Sequence, residues 1–411
     1  MHVVMFGDQH LATMGGAQVS MRLQQQFLEK AGHTVTVVAP ALHGRARQRL
    51  IGGVDAFVDL PSIPITPDRE YALTWPGRRA DRFVDAALAK RPPVDIVHVQ
   101  GDFWGAFIGH RFAARHGLPV VHTMHNRVDV GIEATTPFPK LVLGALNWWQ
   151  QRAAAGPLRM PGRDGWTYLR RFAELADAVT APSSHFARRL EENGVLPGGK
   201  RAARRSVDVV WNGIDDDILD EVLATAEDER EPGPPRFVWL GRMSPEKRLL
   251  PFLEAVAESG VVADVVVVGG GQQLRAAQRI VEERKPAASV SFVGRLSYPE
   301  TLRTIRRADA VVQTSIGFET QGMTIFEAAS LGTPSIVSDP DLARELGSGL
   351  WQVADDADAA ADVAALAEAL RRAAADVEAG TAPEPDAAIR ERFRQSSRTA
   401  AMVDVYDRVR S

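Results

Sequence analysis

The sequence predicts an α/β chain of two domains, each a parallel sheet with helices on both faces. Three observations lead there. Short apolar runs with little alternation recur at 3–7, 32–38, 95–99 and 119–123, as strands buried on both faces of a sheet require. The first such run passes through a glycine loop, Gly15-Gly16, into Val19, Leu23, Phe27 and Leu28 at helical spacing. The same theme restarts at 237–241, after a charged, proline-rich stretch at 227–235 that reads as a linker. A chain of 411 residues has room for two cores. The expected division is 1–212 for the first domain and 213–389 for the second. Both are Rossmann-like, and two such domains with facing glycine loops predict a cleft.

Composition narrows the class. Without cysteine there is no disulfide framework, no thiolate nucleophile and no cysteine zinc site. No cluster with metal-ligand spacing is read, so neither a metal nor another cofactor is expected. No stretch approaches a membrane span, and the N-terminus MHVVMFGDQH has neither a basic n-region nor an apolar h-region. A cytoplasmic protein is expected, with no nucleic-acid partner. The net charge of −4 is uneven: residues 1–212 carry +8 and the remainder −12. Either the first half faces something anionic, or a phosphate-binding cleft sits in a drifting surface.

In the first half, 32–38 follows a helix that ends at Gly32, which completes a βαβ unit. The 119–123 strand runs into HTMHN and places His125 just past its end, on the ligand side of a parallel sheet, with Asn126 beside it. A lone histidine can equally be structural. Asp102, after the preceding strand, could reach a ligand hydroxyl. The Gly15-Gly16 pair fits close approach to a ligand or a plain tight turn. From 136 to 168 aromatic residues (Phe138, Trp148, Trp149, Trp166, Tyr168) alternate with Lys140, Arg152, Arg159 and Arg163, and Arg170 and Arg171 follow. That pattern fits a membrane-interfacial helix or a helical insertion packed on its own domain. A strand is expected at 207–211.

The second half centres on TSIGFETQGMTIFE at 314–327. A short apolar run, 310–313, leads into a loop with Gly317, Glu319, Thr320, Gln321 and Gly322, then into Met323, Phe326, Ala329 and Ser330 at helical spacing. Free N–H groups at such a helix start hold anions, most naturally phosphate, and Gly322 lets the backbone approach. Glu319 lies in the loop and Glu327 about one and a half turns inside the helix. Beside a phosphate, carboxylates would point at hydroxyls; both could also be ordinary solvated glutamates. Arg242 and Lys247 follow the 237–241 strand, where an Arg fork and a Lys point charge can grip phosphate. The strands 265–268 and 290–294 end in Gly269-Gly270-Gly271 and Gly294, the alanine- and aspartate-rich stretch 355–375 reads as a solvated helix, and 390–410 reads as one final helix.

The segment ETQGMTIFEA at 319–328, followed by Gly332, Thr333 and Pro334, resembles the Glu-x7-Glu motif of retaining glycosyltransferases of family four, which have the GT-B fold. Asn212-Gly213-Ile214-Asp215 is similar to that family's signature at its domain junction, and 241–247 to its GRxxxEK pattern. The resemblance covers essentially the whole chain and is strongest after Asn212. It implies that Glu319 contacts the donor sugar and Glu327 the nucleotide ribose. It implies that Arg242, Lys247 and the backbone of Gln321, Gly322, Met323 and Thr324 hold the donor diphosphate without metal. Gly15 and Gly16 would lie against the donor phosphates, Gly294 beside the base, and His125 near sugar and acceptor, with Asp102 and Asn126 as weaker acceptor residues. The C-terminal helix, 390–411, would cross back to and join the first domain. The wording ETQGMT looks most like the bacterial branch that glycosylates diacylglycerol. A hexosyl transfer from UDP-glucose to a membrane lipid is therefore expected, with peripheral contact at an anionic membrane. A soluble or polyprenyl-linked acceptor with GDP-mannose or a UDP-sugar is the alternative. A GT-B epimerase and a two-lobed binding protein are the readings left behind.

Overall fold

The computed structural model describes residues 1–13, 16–43, 56–66, 69, 71–153, 161–225, 233–354 and 359–411. Gly15, Arg159 and most of the expected linker lie outside them. The chain divides into two units, Met1–Gly213 with Gln395–Ser411, and Ile214–Arg394.

The first unit runs β1 (His2–Phe6), α1 (Gly16–Lys30), β2 (Thr34–Pro40), β3 (Phe57–Leu60), β4 (Ile63–Pro64), β5 (Ala72–Leu73), α2 (Arg78–Leu88), β6 (Ile96–Val99), α3 (Trp104–His116), β7 (Val120–Thr123), α4 (Val128–Thr135), α5 (Pro139–Ala153), α6 (Gly165–Ala173), β8 (Ala178–Ala181), α7 (Ser184–Glu192) and β9 (Asp208–Val209). Seven strands form one sheet in the order β3-β2-β1-β6-β7-β8-β9, and every pairing is parallel. β1, β6, β7 and β8 are buried along their whole length, which explains their largely apolar character and the lack of alternation. The antiparallel hairpin β4–β5 stands outside this sheet. Helix boundaries follow local chemistry: Asp164 and Ser183 cap α6 and α7 through their side chains, and Gly117 ends α3 at φ 65°.

The second unit runs α8 (Asp216–Ala224), β10 (Arg236–Arg242), a 3-10 turn (Pro245–Lys247), α9 (Leu249–Ser259), β11 (Asp264–Gly270), α10 (Leu274–Arg284), β12 (Ser289–Gly294), α11 (Tyr298–Arg306), β13 (Ala310–Gln313), α12 (Met323–Leu331), β14 (Ser335–Val337), α13 (Pro340–Leu346), β15 (Leu350–Gln352), α14 (Ala359–Ala379) and α15 (Ala388–Phe393). Its six strands are all parallel in the order β12-β11-β10-β13-β14-β15. This is the doubly wound order, with its reversal point between β10 and β13. Trp239, fully buried in β10, anchors the core, and truncating such a residue to Ala costs about 3–5 kcal/mol. α16 (Gln395–Arg410) returns to the first unit. There Tyr406 donates to, or accepts from, His98 Nδ1 at 2.6 Å, beneath β6 and β7.

Several expectations are corrected. The helix read as solvated at 355–375 is α14 from Ala359 onward, 355–358 lying outside the described residues, and its Leu366, Ala367, Ala369, Leu370, Ala373 and Ala374 are buried in the second core. Small alanines let it lie close against α9, and a count of aspartates hides that stripe. The final helix is two helices. Ile214 N–H bonds Phe393 O and Ile214 bridges Arg394, which breaks the run before Gln395. Phe393 packs on Phe326 with ring centroids 5.4 Å apart, so 390–394 belongs to the second unit. The strand expected at 207–211 shrinks to Asp208–Val209, and that at 32–38 begins at Thr34.

Candidate active site

In the second unit the candidate residues gather at the carboxyl ends of β10 and β13, the reversal point at which open α/β sheets bind ligands. Arg242 closes β10 and Lys247 closes the 3-10 turn that follows. Lys247 Nζ is ion-paired to Glu319 Oε1, and Ser315 Oγ donates to that same oxygen at 2.8 Å. The two segments are also tied from below. Trp239 Nε1 donates to Thr314 Oγ1 at 2.9 Å, and Thr314 Oγ1 donates to the Lys247 carbonyl at 2.6 Å. Arg242 stands more open, its side chain 68% exposed, and bonds Glu246 Oε1 at 3.0 Å. So one cation is spent on the Glu319 carboxylate and the other faces solvent.

Gly322 caps α12 at φ 73°, a conformation that favours glycine. A Cβ there would come within 2.8 Å of Leu342 Cδ1. The cap carries no side-chain hydrogen bond, and the first-turn N–H groups of Met323 and Thr324 have no carbonyl one turn back to accept them. Both residues are half-buried, and Gln321 is buried beside them. The start of α12 thus has N–H groups of the kind that hold anions, four residues after Glu319 and its Lys247 partner. Gly317 N–H is taken by Asp339, whose other oxygen caps α13, and this holds the loop before Glu319.

Glu327 is 7% exposed and accepts a 2.9 Å bond from the Tyr298 hydroxyl on α11. Burial raises its pKa to about 7, partly offset by that bond. Gly294 ends β12 at φ 75° with open space around it.

The first unit repeats the logic at its own reversal point, between β1 and β6. Asp8 follows β1 and accepts backbone N–H bonds from Asp102 and Gly105 at 2.8 Å, with Phe103 N–H at 3.1 Å. It supplies from another element the cap that Phe103 cannot give α3. Burial, then the nearby Asp102 charge, raises the Asp8 carboxyl to about 7. Asp102 itself is fully buried. Its Oδ2 accepts Asn126 Nδ2 at 2.7 Å and Asn126 N–H at 3.2 Å. Asp102, expected to reach a ligand hydroxyl, thus holds through Oδ2 the loop that carries Asn126, which is exposed, while its buried Oδ1, 3.7 Å from His122 Nε2, takes no hydrogen bond from the described residues. His125 is half-buried and its Nε2 lies 3.2 Å from Gln100 Oε1. Burial lowers its pKa to about 4, against the opposing charge of Asp102, so the ring is neutral at pH 7. His125 and Gln100 line a small polar pocket with Ser20, Gln24, Thr123 and Asn212. Gly16 opens α1.

The aromatic-basic region divides. Trp149 packs on Phe107 with centroids 4.6 Å apart, Trp166 lies against the core, and Tyr168 is fully buried. Arg171, also fully buried, bonds Asn147 Oδ1 at 2.8 Å and pins α5 to α6. Phe138, Leu141 and Trp148 remain exposed on one side of α5, with Arg152 3.9 Å over the Trp148 ring. Trp75, 69% exposed, contacts Trp149 at 5.5 Å and links this surface to a second stretch with Ile63, Ile65 and Phe83. Seven of the eleven large apolar residues that are exposed among the described residues lie in these two stretches, which makes them a patch rather than scatter. Arg78, Arg79 and Arg82 on α2 flank it in sequence.

Sequence reasoning missed Asp8, Gln100, Ser315, Tyr298 and the Trp75 stretch. Only Trp75 carried a signal, a tryptophan beside Arg78 and Arg79. Among the described residues no group of three or more His, Cys, Asp or Glu is arranged to hold a metal, and no helix is long and apolar enough to cross a membrane.

The chain matches the family model described as Glycosyltransferase Family 4 over residues 14–218 and that described as Glycosyl transferases group 1 over 224–379. An alpha-monoglucosyldiacylglycerol synthase of Streptococcus pneumoniae is 25% identical over 348 residues, 82% of this chain and 70% of the relative. Among solved structures, a sucrose-phosphate synthase from Thermosynechococcus elongatus superposes with a TM-score of 0.69 at 18% identity, covering 99% of this chain and 98% of that one. HepE from Anabaena, in complex with UDP and glucose, gives 0.65 at 16% identity, covering 99% of each chain. These likenesses establish a GT-B fold.

Proposed function

We propose that this chain, which belongs to glycosyltransferase family 4, moves glucose from UDP-glucose to a hydroxyl of a membrane lipid such as diacylglycerol, with retention at the sugar carbon and without a metal. The observation that carries the transfer chemistry is the Lys247–Glu319 pair beside the uncapped start of α12, at the reversal point of the second sheet.

In the proposed reaction the bond from the sugar C1 to the diphosphate oxygen breaks. Negative charge builds on the leaving UDP, and Arg242, Lys247 and the N–H groups of Met323 and Thr324 stabilise it in place of a metal. An oxocarbenium-like centre develops at C1. The acceptor oxygen bonds to C1 from the same face and gives its proton to the departing phosphate. Glu319 orients the sugar hydroxyls and Glu327 those of the ribose. His125, as a neutral ring, would accept or donate a hydrogen bond to sugar or acceptor without adding charge, with Asn126 beside it.

The glucose and UDP reading draws support from the named ligands of the HepE structure and from the name of the pneumococcal relative. The lipid acceptor draws support from that relative and from the Trp75, Phe138, Leu141 and Trp148 surface, where apolar side chains adjoin Arg78, Arg79, Lys140 and Arg152. Such a surface suits peripheral docking on anionic lipid, with rings at headgroup level and cations above. The test is a donor screen in chelator: UDP-glucose and GDP-mannose, each offered diacylglycerol vesicles and soluble sugars, with products read by mass. UDP-glucose with the lipid should give the dominant product. Turnover confined to a soluble acceptor, or to donor interconversion without acceptor, would overturn the reading.

A further inference from the structure

The Glu327 carboxylate meets one protein group among the described residues, and it is a phenol from a neighbouring helix. Tyr298 is the first residue of α11, and that helix start is fixed by a full capping box, Ser297 with Glu300, and by Pro299. From there the Tyr298 hydroxyl donates to Glu327 Oε1 at 2.9 Å. The remaining oxygen, Oε2, takes no hydrogen bond from the described residues, and it is not an enclosed orphan. We propose that Tyr298 is a positioning residue for the nucleotide: it holds Glu327 by one oxygen and presents the other, as an acceptor, to the donor's ribose hydroxyls. This rests on the reading of Glu327 given above.

The geometry gives Tyr298 two tasks. A glutamate on a helix has three rotatable bonds, and a bond at Oε1 selects one arrangement of them. The carboxylate must also stay ionised to accept two hydroxyl protons. Burial opposes that, and the phenol, whose own pKa is pushed well above 10 by burial and then by the Glu327 charge, is a firm donor that favours the ionised form. Other charges around the pair are few. Asp215, the cap of α8, acts on Tyr298. Arg390 on α15 donates to the Ser330 carbonyl at 2.7 Å, on the same helix as Glu327. The packed strands β13 and β14 bring Gln313 and Ser335 rather than charged groups.

UDP binding to the full chain, measured by calorimetry from pH 6 to 9, tests this, with 2′,3′-dideoxy-UDP as the probe that lacks the ribose hydroxyls. Wild type should prefer UDP over the dideoxy analogue, and the preference should fade as pH falls through about 7. Tyr298→Phe should move that fade upward by about one pH unit and cut the preference at pH 7 about fivefold, with recovery toward pH 9. A purely structural loss would weaken both ligands alike and leave their ratio unchanged. If Glu327→Gln loses the preference while Tyr298→Phe keeps the wild-type ratio and pH profile, the role given to Tyr298 is wrong. If Glu327→Gln itself keeps the wild-type ratio, the ribose reading of Glu327 fails and the role of Tyr298 falls with it.

Discussion

Lys247 and Glu319, 72 residues apart, neutralise each other at the carboxyl ends of β10 and β13. Both side chains are largely shielded, at 23% and 17% exposure, so the pair is held more firmly than an exposed one. A diphosphate that binds at the start of α12 must compete with Glu319 for the ammonium. The two residues should therefore respond with opposite signs to different ligands.

Glu319→Gln should bind UDP as well as wild type or better, because Lys247 is released to the phosphates. Turnover of UDP-glucose should drop at least tenfold, because the sugar loses its acceptor group. Lys247→Ala should weaken UDP by about 1.5–3 kcal/mol, the range for a lost charged hydrogen bond. Calorimetry with UDP beside steady-state rates checks both, and equal losses of UDP affinity in the two variants would contradict the competition.

Arg242→Ala should also weaken UDP, while its loss of the exposed Glu246 pair should leave the melting temperature nearly unchanged. In the proposed scheme these cations do the work of a metal, so rates should persist in chelator. Rates abolished by chelator and restored by a divalent ion would count against that division of labour.

Glu327 ties function to stability with a definite sign. Its pKa rises from 4.5 to about 7 on folding. The folded state thus favours the protonated form: the contribution is fully present below pH 4.5 and is lost as pH rises through about 7. The shift corresponds to about 3 kcal/mol. Glu327→Gln should accordingly stabilise the unliganded protein at pH 8, with the gain shrinking toward zero at pH 4.5. Thermal melts of both proteins across that range check it, and a gain that is largest at low pH would contradict the burial of a carboxylate there.

The tryptophans should separate by experiment as they do by position. Trp75→Ala and Trp148→Ala remove exposed rings and should lower co-sedimentation with anionic vesicles while leaving the melting temperature near wild type. Basic residues near the surface contribute roughly 1 kcal/mol each, fading within a Debye length, so the binding should also weaken with salt. Trp149→Ala opens the contact with Phe107 and should cost up to about 3 kcal/mol of stability. Vesicle binding untouched by the first two variants would mean that the patch meets something other than lipid.

Much of this was legible in the sequence for a physical reason. Strands buried on both faces are largely apolar, so β1, β7, β10 and β13 announced themselves, and the loops after β13, β10 and β7 carry Glu319, Lys247 and His125. What escaped notice were residues whose role depends on a partner far along the chain. Asp8 caps a helix that starts 96 residues later at Trp104, and Tyr298 meets Glu327 across two helices. Asp102 read as a ligand-facing carboxylate because it follows a strand end; its side chain is fully buried, with Oδ2 on Asn126 and Oδ1 without a hydrogen bond among the described residues. α14 read as solvated because alanine counts little in a hydropathy pattern, although alanines allow the closest helix contact. The two roles of the Trp and Arg residues in α5 could not be separated by composition, since Trp148 and Trp149 are neighbours of which one is exposed and the other packs on Phe107.

The most direct test of the central claim follows the sugar itself. The full chain is incubated with labelled UDP-glucose and vesicles of diacylglycerol in anionic phospholipid, in chelator, and the lipid product is isolated for the configuration at its sugar carbon. Wild type should form a glucosyl lipid with the donor's configuration, while Lys247→Ala and Glu319→Ala form at least tenfold less. Label that stays in the donor, that reaches only soluble acceptors, or that appears in the lipid with inverted configuration would contradict it.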